Sequence, residues 1–178
     1  MVALSYKQLS AFLDEISLKP HILVLTETWF NSSTCREITG YKSYHCTRPG
    51  DNHRGGGVSV FILEILNLSC LHFSCRATDD LEHVRIILKP NNENRKNIEV
   101  VGFYRPPYRT RVDDFFNSLE SILNNLGVNN DQILIGDFNI CGLVRNPLLE
   151  NYLDIMRSFN FMPHINKIPD LIHMVMIV

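Results

Sequence analysis

Three short segments of the 178-residue chain place polar side chains directly after an apolar run, the arrangement by which a rigid sheet presents chemistry to a cleft. In Leu23-Val24-Leu25-Thr26-Glu27-Thr28-Trp29, Glu27 is the only acid beside the run, and a hard divalent cation needs such an oxygen ligand on a rigid element. The same glutamate could simply cap a helix or join an ion pair. In Val100-Val101-Gly102-Phe103-Tyr104-Arg105-Pro106-Pro107, a run ends in a phenol and a guanidinium, and Arg109 and Arg111 follow. Such donors suit a phosphate gaining charge in a transition state; the plain alternative is a core tyrosine before a solvated basic turn. In Ile133-Leu134-Ile135-Gly136-Asp137-Phe138-Asn139-Ile140, Asp137 and Asn139 are two apart, so both can project from one face of an extended segment. An aspartate can orient and deprotonate water and an amide can hold water or a phosphate oxygen, although an Asx turn needs the same two residues.

The elements that must carry these groups follow from apolar spacing. Leu9, Phe12, Leu13 and Ile16 predict a helix over residues 5–18, stopped by Pro20 before a buried strand at Ile22 to Leu25. Tyr41 to Cys46 and Val58 to Leu63 read as two strands separated by Pro49-Gly50 and Gly55-Gly56-Gly57. Residues 82–89 and 97–103 flank the turn-rich Pro90 to Asn94 and predict a hairpin. Val112, Phe115, Phe116, Leu119, Ile122, Leu123 and Leu126 outline an amphipathic helix closed by Gly127; a buried strand then runs through Ile135 into Gly136-Asp137, and a last helix covers residues 147–159. No repeat or low-complexity linker divides the chain, which reads as one mixed α/β domain.

A net charge of −2 and a pI near 6.4 give no global basic signature, so nucleic-acid contact would need a local patch. The five cysteines have no paired spacing and no leader pattern opens the chain, so a reducing, intracellular setting is expected, in which the sequons at Asn31 and Asn67 carry no meaning. Cys70-Leu71-His72-Phe73-Ser74-Cys75 fits no common zinc spacing and reads as a half-buried strand. No apolar run reaches transmembrane length.

Taken in order, Thr26-Glu27-Thr28-Trp29, Arg54-Gly55-Gly56-Gly57-Val58, Phe103-Tyr104-Arg105-Pro106-Pro107 and Gly136-Asp137-Phe138-Asn139 resemble the endonuclease domain of non-LTR retrotransposons, in the endonuclease/exonuclease/phosphatase superfamily. The resemblance runs from about residue 5 to residue 172, and the four-part combination is far more specific than any one part. It implies a four-layer α/β sandwich of two facing mixed sheets flanked by helices, nicking DNA with magnesium, or manganese in its place. It also implies a reverse transcriptase domain in the full-length element, no membrane, and a nuclear location. By the resemblance Glu27 is the metal ligand, Tyr104 a transition-state stabiliser, Asp137 the residue that activates or positions water, and Asn139 an orienter of phosphate or nucleophile. Arg105, Arg109 and Arg111 are candidate contacts to DNA phosphates, which position a duplex without reading it. The glycine run would be structural.

The sequence departs from the family's pattern at both ends. The family's first strand and its asparagine have no counterpart before the first helix, and residues 170–178 offer neither the aspartate-histidine pair nor the last strand that completes the site. His164 and His173 follow no acid or serine in the expected way and are assigned no role. The expectation is therefore a partial domain over residues 1–178 with weak or no activity, because a missing acid/base or phosphate-binding histidine removes much of the rate and missing strands leave sheet edges unpaired. A phosphatase of the same superfamily, and an inactive or co-opted binding module, are the competing readings.

Overall fold

The computed structural model describes residues 6–31, 33–48, 55–107, 111–141, 144–163 and 174–177. In chain order these form α1 (Tyr6–Glu15), β1 (Ile22–Thr26), β2 (Tyr41–Cys46), β3 (Val58–Leu63), a 3-10 turn at Glu64–Leu66, β4 (Ser69–Ala77), β5 (Glu82–Lys89), β6 (Ile98–Tyr104), α2 (Val112–Asn124), β7 (Asp131–Asp137), α3 (Pro147–Ser158), β8 (Met162–Pro163) and β9 (Met174–Ile177).

The strands make two sheets, one of three strands in the order β1-β3-β2 and one of six in the order β4-β5-β6-β7-β9-β8. Alternation along the strands divides the apolar side chains into three interfaces. Val58, Val60 and Ile62 of β3 and Ile22 and Val24 of β1 meet Val84, Ile86 and Leu88 of β5 and Val100 and Tyr104 of β6 between the sheets. The opposite phase of the first sheet, through Leu23, Leu25 and Phe61, packs on Leu9 and Leu13 of α1 and on Ile16 just beyond it. The opposite phase of the second sheet, through Val101, Phe103 and Leu134, packs on Phe115, Leu119 and Leu123 of α2 and Leu149, Tyr152 and Met156 of α3. Helix, sheet, sheet, helices is the four-layer order that the resemblance implies.

Three details differ from the sequence reading. The first sheet is wholly antiparallel, so only the second is mixed, through the parallel pair β6 and β7. A parallel pair needs a crossover, and α2 supplies it. Residues 174–177, where no last strand was expected, form β9, antiparallel to β7. The Cys70 to Cys75 segment is a strand, but at the edge of its sheet, so most of it is exposed rather than half-buried. The β5 and β6 hairpin, both long helices and β3 stand where the apolar spacing puts them. No helix among the described residues is long and apolar enough to cross a membrane.

Candidate active site

Tyr104 ends β6, and its two strand neighbours fix what lies beside it: Glu82 of β5 pairs with it antiparallel and Asp137 of β7 pairs with it in parallel. Residues directly opposite in adjacent strands share a face. Val100 and Tyr104 face the other sheet while Val101 and Leu134, themselves paired, face the helices. Glu82, Tyr104 and Asp137 therefore form one row at the end of the interface between the sheets.

The first sheet closes this row from above. Period-two alternation carried past Thr26 would send Glu27 toward α1 with Leu23 and Leu25. The chain instead leaves β1 with Glu27 at φ 52° and Trp29 at φ 55°, left-handed values unusual for residues other than glycine. This turn is held by the glycine run, since Thr28 N–H donates to the Gly57 carbonyl at 3.4 Å and Trp29 N–H to the Gly56 carbonyl at 3.0 Å. Gly55, Gly56 and Gly57 all have positive φ, which is why glycines occupy the run. The result is a short hydrogen bond from the Tyr104 hydroxyl to Glu27 Oε1, joining the two sheets at the site.

That environment sets the phenol's protonation. Burial first, then the Glu27, Glu82 and Asp137 carboxylates, push the Tyr104 pKa well above its ordinary 10.0. Tyr104 is thus a proton-bearing donor at any neutral pH, suited to an oxygen that gains negative charge.

Asp137 and Asn139 do not share the extended segment expected of them. The strand ends at Asp137, Asn139 adopts φ 48°, and Asn139 N–H donates to Asp137 Oδ1 at 2.9 Å, an Asx-type turn. Asn139 Nδ2 donates to the Arg105 carbonyl at 2.6 Å and Arg105 N–H to the Asp137 carbonyl at 2.9 Å, so the ends of β6 and β7 are laced together. One amide proton of Asn139 is therefore used to shape the turn.

Arg105, expected among the DNA contacts, is only 6% exposed. Its Nη1 donates to the Phe138 and Asn139 carbonyls at 3.3 and 3.4 Å, and its guanidinium carbon lies 4.8 Å from the Phe115 ring centroid. Its role is to clamp the Asp137–Asn139 turn from beneath, which removes it from phosphate contact. Arg111 is exposed at the start of α2 and makes no side-chain cap. Arg109, Arg54, His164 and His173 lie outside the described residues.

Glu82 escaped the sequence reading. It is fully buried, receives Arg48 Nε and the Gly57 N–H at 2.5 Å each, and also pairs with Arg48 Nη2. A signal was present: in Glu82-His83-Val84-Arg85-Ile86-Ile87-Leu88 the glutamate falls in phase with the inward Val84, Ile86 and Leu88. No described histidine joins the row. His45 bonds Ser59 Oγ at 2.8 Å on the α1 side, His83 packs on Phe103 on the helix side, and His21 and His72 are exposed.

Among the described residues no group of three or more His, Cys, Asp or Glu side chains forms a metal cage. Magnesium does not require one, because it retains waters and binds through one or two carboxylates. The exposed Glu27, with Asp137 in the adjoining row, offers hard oxygen donors and no sulfur or imidazole, a set that fits such an ion.

Residues 3–153 match the model of the Endonuclease/Exonuclease/phosphatase family. No curated protein matches in sequence. Among solved structures, the 3′ phosphatase NExo from Neisseria, bound to a product DNA hairpin, superposes with TM-score 0.63 at 12% identity, covering 96% of this chain and 80% of that one. The endonuclease domain of TRAS1, a telomere-specific non-LTR retrotransposon, gives 0.61 at 12% identity, covering 94% and 75%. A humanized D. rerio TDP2 gives 0.58 at 12%, covering 82% of this chain but 57% of its own, and ANGEL2, a 2′,3′-cyclic phosphatase, is spanned over 42% of its length. These likenesses are of fold.

Proposed function

We propose, from the premise that the chain belongs to the Endonuclease/Exonuclease/phosphatase family, that it carries the phosphodiester-cleaving site of a slow DNA endonuclease of the non-LTR retrotransposon type. The observation that carries this is the Tyr104 hydroxyl held on the Glu27 carboxylate across the two sheets, with Asp137 the next residue in the row. On this reading Glu27 holds a magnesium ion, which when bound supplies positive charge beside the scissile phosphate. Asp137 takes or orients the proton of the attacking water, and Tyr104, kept protonated, turns its single hydroxyl proton from Glu27 to a non-bridging oxygen as that oxygen gains charge. The Asn139 turn and the buried Arg105 keep Asp137 in register with Tyr104.

No imidazole stands in the row among the described residues, while His53, His164 and His173 lie outside them; slow turnover is proposed from the motif pattern of the sequence alone. The second reading is a module that binds DNA without cutting it. Arg111 is the described candidate for a phosphate contact, and Arg109 a further one outside the described residues. Chromosomal target DNA, and hence a nuclear location and a covalently linked reverse transcriptase domain in a longer element, complete the proposal.

The test is nicking of supercoiled plasmid by the purified chain in magnesium or manganese. Slow nicking, lost in EDTA, in Asp137→Ala and in Glu27→Gln and cut about tenfold or more in Tyr104→Phe, is the expected result. Binding of duplex DNA with no metal-dependent nicking supports the binding module instead. Phosphate release from a 3′-phosphorylated oligonucleotide, without nicking, overturns the endonuclease in favour of a phosphatase.

A further inference from the structure

A buried carboxylate at the cleft, unused in the chemistry above, controls the turn that carries the proposed metal ligand. Glu82 Oε1 receives Arg48, and Glu82 Oε2 receives the Gly57 N–H. The next peptide groups of the run do the opposite work, as the Gly56 and Gly57 carbonyls accept from Trp29 and Thr28. A continuous path thus runs from Arg48 through Glu82 and Gly57 to the Glu27–Trp29 turn, and ends at the Tyr104 hydroxyl. Gly56 shows how closely it is fitted: a Cβ there would lie 2.5 Å from both Arg48 Nε and Glu82 Oε1. The turn needs such support, because its two left-handed non-glycine residues carry intrinsic strain that surrounding contacts must offset.

We propose that Glu82, gripped by Arg48, is a positioning residue for the candidate site: by fixing the glycine run it holds the strained Glu27–Trp29 turn and aims the Glu27 carboxylate at Tyr104 and the metal. This rests on the reading of Glu27 as a metal ligand. Glu82 is placed as a support rather than a ligand, because it is fully buried and its two oxygens face Arg48 and the Gly57 N–H. Arg48 also neutralises it, which keeps a third net negative charge away from Glu27 and Asp137.

The fold contains its own matched control. Glu99 is likewise fully buried, bonded to Arg85 Nε at 2.5 Å, to the Gly127 N–H at 2.8 Å and to Asn130 Nδ2 at 3.0 Å. It lies five residues before Tyr104 on β6, roughly 16 Å away, and faces the helices rather than the cleft. A buried carboxylate with only a structural role should behave like Glu99.

The experiment compares Glu82→Gln with Glu99→Gln in the full 178-residue chain. Each glutamine turns an amide N–H₂ toward a donor that previously met a carboxylate oxygen, so each thermal melt by circular dichroism should fall. Trp29 is the only tryptophan and sits in the turn, so acrylamide quenching of its fluorescence reads the turn's order directly. Glu82→Gln alone is expected to raise the quenching constant about twofold and to weaken Mg²⁺ binding, titrated calorimetrically with magnesium chloride, about tenfold. Quenching and Mg²⁺ affinity that stay at wild-type values in Glu82→Gln, or move equally in Glu99→Gln, overturn the proposal. Should Glu82→Gln not fold, Arg48→Lys keeps the charge but loses the forked grip, and must shift quenching in the same direction; no shift overturns the proposal. If the wild-type chain binds no Mg²⁺, the metal-ligand reading fails, and the quenching comparison alone decides whether Glu82 holds the turn.

Discussion

His83 shows what a single ring can do to this fold's response to pH. It stands on the outer face of the second sheet, its ring 6.3 Å from that of Phe103, with its Nδ1 buried and without a hydrogen-bond partner among the described residues. It faces a cavity of about 210 Å³ shared with Arg76 of β4 and Ser118 of α2. Burial first, and then the positive charges of Arg76 and Arg85, push its pKa from 6.5 down to about 4. The folded ring is neutral where the unfolded ring would begin to protonate. Its contribution to stability is therefore complete above pH 6.5 and is lost as pH falls through about 4, a loss on the order of 3 kcal/mol. Urea unfolding followed from pH 7 to pH 4 should show wild type losing more stability than His83→Leu; parallel curves for the two would refute this. Tyr104 has the opposite sense, because its raised pKa keeps the phenol protonated and gives no limb to the rate profile at neutral pH.

At the scale of elements, α3 shows how a local signal supports the site from behind. Asn146 Oδ1 accepts from the Leu149 N–H at 2.9 Å, Pro147 occupies the first turn, and Glu150 and Arg157 match the ends of the helix dipole. The helix then lays Tyr152 against Phe138, with ring centroids 5.0 Å apart, between Asp137 and Asn139 in sequence. Asn146→Ala should cost about 1 kcal/mol and lower the thermal midpoint by about 2–4 °C, with slow nicking at 25 °C unchanged. A midpoint within a degree of wild type would mean that the cap carries no weight. This helix, like α2 and β3, was readable from the sequence because caps and apolar periodicity are local. β9 was not, because its place beside β7 depends on a pairing with a strand about forty residues earlier.

At the scale of the whole molecule, the site exists only where the two sheets approach each other. Gly102, two residues before Tyr104, marks a close approach: a Cβ there would lie 2.8 Å from Val60 Cγ2, 3.2 Å from Val24 Cγ1 and 3.3 Å from Val58 Cγ1. Its φ is ordinary, so the demand is for space rather than for backbone freedom. Gly102→Ala should wedge the sheets apart, costing about 1–3 kcal/mol by overpacking and lengthening the Glu27 to Tyr104 contact. Mg²⁺ affinity and nicking should fall together with stability; a stable variant with unchanged Mg²⁺ affinity would show that the sheets can slide without disturbing the site.

Apolar spacing and the order of four short motifs were enough to give the layers, the family and the strand ends that carry Glu27, Tyr104 and Asp137. The strand ends are written in local periodicity, which a chain keeps in any context that buries one face, while the layers and the family followed from the resemblance that the four motifs carry. Four other features were decided only in three dimensions. Glu27 reaches Tyr104 because a left-handed turn, pinned by a glycine run thirty residues away, breaks the alternation of β1. Arg105, which in sequence resembles a phosphate contact, is drawn inward by the carbonyls of the Asp137–Asn139 turn and the face of Phe115. Asn139 uses an amide proton on the backbone beside it. Glu82, unremarked in the sequence, is a buried charge that is tolerable only because Arg48 and the Gly57 amide meet both its oxygens. Each of these depends on cross-strand register and on hydrogen-bond partners far along the chain, which spacing within a segment does not encode.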